Sequence, residues 1–93
     1  MAVLEVTAII DDDGIRQHHW LHETKMGAMS RIIYILDSVI DAMDDDSESW
    51  KISIENNKRR IKVSDISGRY ELLVPTNLYD SFKIKVRRKN IYR

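Results

Sequence analysis

The chain has 93 residues, 43% hydrophobic and 32% charged, so its length supports one core and one domain over residues 1–93, and its composition excludes wholesale disorder. Cysteine is absent, which excludes disulfides, thiolate metal sites and thiol nucleophiles. Formal charge sums to zero, but residues 1–49 carry eleven acids against three bases and residues 50–93 twelve bases against four acids. Such polarity bears on partners and not on a reaction.

Residues 3–10 are apolar and β-branched and stop at Asp11-Asp12-Asp13-Gly14, a run that favours a turn with positive φ. The expectation is a first strand, a hairpin turn and a second strand over residues 15–22. From Met26 to about Asp45 the apolar positions Met29, Ile32, Leu36, Val39, Ile40 and Met43 recur at steps of three and four, the period of an amphipathic helix. Thr24 is its expected N-cap. Its polar stripe holds Arg31, Tyr34, Asp37, Ser38, Asp41, Asp44 and Asp45.

Trp50 to Glu55 alternates apolar and polar residues, and Asn56-Asn57 suits a two-residue turn into a strand from Arg59 to Ile66. In that register Trp50 faces Val63 and Ile52 faces Ile61 on the inner side, and Lys51 faces Lys62 outside. A second two-residue loop at Ser67-Gly68 then pairs Val63 with Leu72 and Ile61 with Val74. Pro75 ends the strand, Thr76 to Ser81 suits one helical turn, and Phe82 to Arg88 alternates again with Phe82, Ile84 and Val86 inward. Asn90 to Arg93 is expected to fray.

The order ββαβββ(β) gives an α+β class with one long amphipathic helix on a mostly antiparallel sheet, compatible with a β-grasp-like topology. The tail lacks the paired glycines of a ubiquitin-like modifier, so conjugation is not implied.

On this register the outer sheet face gathers Lys51, Arg60, Lys62, Arg69, Lys83, Lys85 and Arg87, with Lys58 at the turn. A basic face of this kind suits a polyanion, and no base-stacking module accompanies it. The acidic stripe repeats Asp37, Asp41 and Asp45 at i, i+4, and Asp44 to Asp46 fall at the expected helix C-terminus. Those placements cost on the order of 1 to 3 kcal/mol in total. A stripe kept at a cost points to a cationic partner, and consecutive carboxylates on a rigid helix can imitate a run of phosphates.

Catalytic patterns are missing. His18, His19 and His22 form the nearest approach to a metal cluster, but His22-Glu23 has no second histidine at zincin spacing. Asp11 to Gly14 fails as a calcium loop, and P-loop, dinucleotide-binding and nucleophile-elbow patterns are absent. The expectation is a non-enzymatic, charge-polarised binding protein without cofactor or metal. Its partner is expected to be a protein whose cationic site takes Asp37, Asp41, Asp44 and Asp45, as an inhibitor or interaction module. The rival is nucleic-acid binding by Lys51, Arg60, Lys62, Lys83, Lys85 and Arg87, and a third reading is metal-binding or hydrolytic chemistry at the histidines. Opposite faces of opposite sign also invite head-to-tail self-association, and a C2 homodimer through an exposed strand edge is equally open. No secretory leader and no apolar run of the 18 or so residues needed to span a membrane stands in the sequence, so a soluble, cytoplasmic protein with no membrane association is expected.

Overall fold

The computed structural model describes residues 2–90. The first hairpin forms as expected: β1 (Ala2–Asp11) pairs antiparallel with β2 (Ile15–His22), from Leu4 opposite His22 to Asp11 opposite Ile15. Asp13 (φ 59°) and Gly14 (φ 133°) supply the positive φ values of the intervening turn. Helix α1 (Lys25–Ala42) follows, and the Thr24 hydroxyl accepts from the Gly27 N–H at 3.0 Å, as an N-cap should. Its buried residues Ala28, Ile32, Ile35, Leu36 and Val39 keep the helical spacing.

The middle of the chain departs from the expectation. Residues 48–60 form a second helix, α2 (Glu48–Arg60), entered through a short 3-10 turn at Asp45–Ser47. The expected strands Trp50 to Glu55 and Arg59 to Ile66 do not form, nor do the pairings of Trp50 with Val63, Ile52 with Ile61 and Lys51 with Lys62. Asn56-Asn57 is helix interior, and Ile61 to Gly68 is a connection with a 3-10 turn at Val63–Asp65. The pairings of Val63 with Leu72 and Ile61 with Val74 are likewise absent.

The cause lies in what α2 buries. Its covered face runs through Ser47, Lys51, Ile54, Lys58 and Ile61, at steps of four and three, while Trp50 and Ile52 are exposed. Two of the five positions are lysines whose stems lie against the protein and whose ammonium groups reach Asp45 and Asp37. Acids precede the helix at Asp44, Asp45 and Asp46, and Lys58, Arg59 and Arg60 close it, the arrangement that complements a helix dipole. The carboxylates expected to oppose the C-terminus of α1 therefore stand before the N-terminus of α2, where they stabilise.

Strands β3 (Arg69–Leu73) and β4 (Ser81–Asn90) complete a wholly antiparallel four-stranded sheet of order β2-β1-β4-β3. Gly68 permits a close approach to β4, since a Cβ there would lie 3.1 Å from that of Arg88. β4 pairs with β1 along ten residues, antiparallel. A β-grasp-like topology is therefore not adopted, because its closing strand runs parallel to the first. Residues 77–80 are bends, and no helical turn forms over Thr76 to Ser81. Asn90 ends β4, and the fraying expected beyond it falls on residues 91–93, outside the described residues.

The fold is α+β with two helices on one face of the sheet. Val6, Ala8 and Ile10 of β1, Phe82, Ile84 and Val86 of β4, the buried face of α1, Ile54 and Ile66 make one core. No described helix is long and apolar enough to cross a membrane.

Candidate functional site

Charge is sorted along the sheet rather than between its faces. At the β1–β2 hairpin end stand Asp11, Asp12 and Asp13, joined by Asp80, whose neighbour Ser81 pairs with Asp11. The α1–α2 junction docks at the same end: Thr76 Oγ1 lies 3.5 Å from Met43 Sδ, and Asn77 Nδ2 donates to Ser47 Oγ at 2.9 Å. That contact brings Asp41, Asp44, Asp45, Asp46 and Glu48, all exposed, to the hairpin's end. Of these nine carboxylates, only Asp45 has a cation within 4.0 Å among the described residues, the Lys51 ammonium.

Asp37, expected to act with them, sits further up α1 and binds Lys58. That hydrogen bond holds the Lys58 ammonium above its ordinary pKa, with the Asp37 charge adding to it and burial opposing it. Asp41, Asp44 and Asp45 are thus brought together, and Asp37 is neutralised apart from them. Asp11, Asp12, Asp13, Asp46, Glu48 and Asp80 complete the pole. Their run-wise signal was present in the sequence, but its convergence depends on the docking of the junction onto residues 76–77.

The expected basic face is only half assembled. Lys83, Lys85 and Arg87 alternate on the uncovered face of β4, with Lys89 continuing the row and Arg69 opposite Arg87 on β3. Lys51 and Arg60 instead belong to α2, and Lys62 to the turn after it, because the strands that would have placed them on the sheet are a helix. The remaining row is largely answered within the chain. Glu71 pairs with Arg87 at 2.9 Å and lies 3.8 Å from Lys85, and Glu5 meets Lys89 at 3.3 Å. The Arg87 hydrogen bond holds the Glu71 carboxyl below its ordinary pKa, helped by the charges of Lys83, Lys85 and Arg87. Lys83 and Arg69 have no acid within 4.0 Å among the described residues.

The histidines divide. His18 and His22 lie on the helix-covered face of β2, opposite Ala8 and Leu4, whereas His19 lies on the open face and shares a hydrogen bond of 3.1 Å with Thr7. No three His, Asp or Glu side chains among the described residues come together as metal ligands. His18 instead stacks on Trp20, at 6.1 Å between ring centres, and the Arg31 guanidinium lies 5.1 Å from the Trp20 ring. His22 and Arg31 share a concavity of about 390 Å³ with Gly27, Ser30 and Tyr34. Their Nε2 and Nε atoms are buried there without a hydrogen-bond partner. Burial, and secondarily the Arg31 charge, push the His22 imidazole below its ordinary pKa.

No protein-family model, curated protein or solved structure matches the chain.

Proposed function

We propose that the chain is a non-catalytic binding protein whose acidic pole occupies a cationic site on a protein partner, as an inhibitor or interaction module. The observation that carries this reading is the contrast in self-neutralisation. Eight of the pole's nine carboxylates lack a cation within 4.0 Å among the described residues, whereas the acids of the sheet face already engage Lys85, Arg87 and Lys89. Carboxylates left unpaired and close together raise the local field, which steers a cationic surface toward them and speeds association. Acids drawn from a hairpin, a helix junction and a strand approach form a patch and not a line. Such a patch can occupy a site that otherwise takes phosphates.

A second reading rests on Lys83 and Arg69, the two sheet-face cations without an acid partner among the described residues, beside Lys85, Arg87 and Lys89. On an uncovered sheet they suit a nucleic-acid backbone.

One pair of variants separates the two. Asp41→Lys with Asp44→Lys is expected to release a protein partner captured from native lysate while circular dichroism stays unchanged, and Lys83→Glu with Lys85→Glu is expected to retain it. Persistence of the complex in the acidic-pole variant overturns the first reading. Retention on immobilised heparin that falls steeply with salt, and is lost in the lysine variant, establishes the second.

A further inference from the structure

The edge strand β2 leaves one side of its backbone unpaired within the sheet. It is eight residues long, closes one side of the sheet, and pairs with β1 without a bulge. It holds no proline and no lysine, two of the devices that keep a free edge from pairing. The opposite edge, β3, has only five residues and carries Arg69, Glu71 and the exposed Leu73 (69%) on its open face. Exposed apolar side chains collect beside β2: Ile15 (68% exposed) and Leu21 (52%) on its open face, and Tyr34 (65%) on α1 above its other face. Tyr34 lines one cleft with His18 and Trp20 and the next with His22.

We infer that two copies of the chain form a C2 dimer by antiparallel β2–β2 pairing centred on His18, making one eight-stranded sheet. The register follows from the residues. Side chains of the same face meet only when opposed residue numbers add to an even total, because faces alternate along a strand. Centring on His18 sets Ile15 against the partner subunit's Leu21 on the open face, twice over. Centring one residue earlier sets Ile15 against His19, and one residue later against Glu23, so each leaves apolar surface facing a polar group. On the helix-covered face the same register sets Arg16 beside the partner subunit's Trp20, a favourable cation–aromatic pair. Arg16 is the one formal charge in residues 15–21, and it does not oppose itself.

Charge at the ends is mixed. Beyond Ile15 the register sets Asp13 against the partner subunit's Glu23, a repulsive pair, and Asp11 against the partner subunit's Lys25, an attractive one, at the N-terminus of an α1 that has no acid in its first turn. This interface uses different residues from the partner-binding variants above, and the two readings stand or fall separately.

Sedimentation velocity across a concentration series of the full chain is expected to show a monomer–dimer equilibrium. Ile15→Lys with Leu21→Lys, at positions exposed in the single chain, is expected to shift it to monomer with circular dichroism unchanged. The register is read by cross-linking, because the chain has no cysteine of its own. Opposed Cα atoms in an antiparallel pair lie about 4.5–5.5 Å apart, within disulfide reach, whereas diagonal neighbours at about 7–8 Å are not. Oxidised His18→Cys is therefore expected to give a covalent dimer and Gln17→Cys is not. A monomer at every concentration, a dimer indifferent to the lysine pair, or equal cross-linking at positions 17 and 18 overturns the inference.

Discussion

His22 sits where a proton matters. Its imidazole lies between β2 and the first turns of α1, against Gly27 and near Arg31, with its Nε2 buried and unpartnered. Its pKa in the folded protein is below the unfolded value of about 6.5. The unfolded chain therefore binds the proton first, and the stability associated with neutral His22 is complete above that pH and is lost as pH falls through the folded value. Urea denaturation at pH 7.5 and pH 5 is expected to show a lower midpoint at pH 5, and His22→Gln is expected to flatten the difference. An unchanged pH slope in the variant contradicts the assignment. Thr24, three residues from Gly27, shows what a sequence can state at this scale: a threonine ahead of an apolar period reads as an N-cap, and its hydroxyl accepts the expected N–H.

At the scale of elements, what was legible followed hydropathy. β1, α1 and β4 bury apolar side chains at the period their backbone requires, so their positions can be read directly, whereas β2, with none of its residues buried, is legible only from the turn that precedes it. α2 was illegible because its buried period is written in Ser47, Lys51, Ile54, Lys58 and Ile61, while the conspicuous Trp50 and Ile52 face solvent. Lysine stems pack as hydrocarbon but score as charge. The basic site scatters for the same reason, since the alternation that suggests a sheet for Lys51, Arg60 and Lys62 lies on a helix and the turn after it. The acidic pole was half legible: its runs were seen, its convergence was not. A direct check follows from the burial of Ile54, the one α2 residue wholly covered. Ile54→Ala is expected to cost about 2–5 kcal/mol in chemical denaturation. Ile52→Ala, at an exposed position, is expected to stay within about 0.5 kcal/mol. The strand register demands a large loss at both.

At the scale of the whole molecule, opposite charge is distributed along an elongated body of 48 × 30 × 17 Å. Acids cluster where the hairpin and helix junction meet, and the mixed, basic end lies at the far side of the same sheet. The central pairing of that sheet joins β1, at residues 2–11, to β4, at residues 81–90, with both helices and β3 between them. Closing so long a loop is entropically costly before any contact repays it, which slows folding relative to chains built from local contacts. During synthesis β1 has only β2 and α1 to cover it until the last strand has emerged, so Val6 and Ala8 wait with one side of their strand unpaired. Refolding is accordingly expected to be slow for the chain's size, with those β1 amides that bond to β4 protected only as β4 docks, later than those that bond to β2. Pulse-labelled hydrogen exchange that finds both sets of β1 amides protected together, well before the amides of β4, contradicts this order. The pairing that gives the native sheet its centre is thus expected to form last, and a nascent chain short of residue 81 is the species expected to need shielding from aggregation.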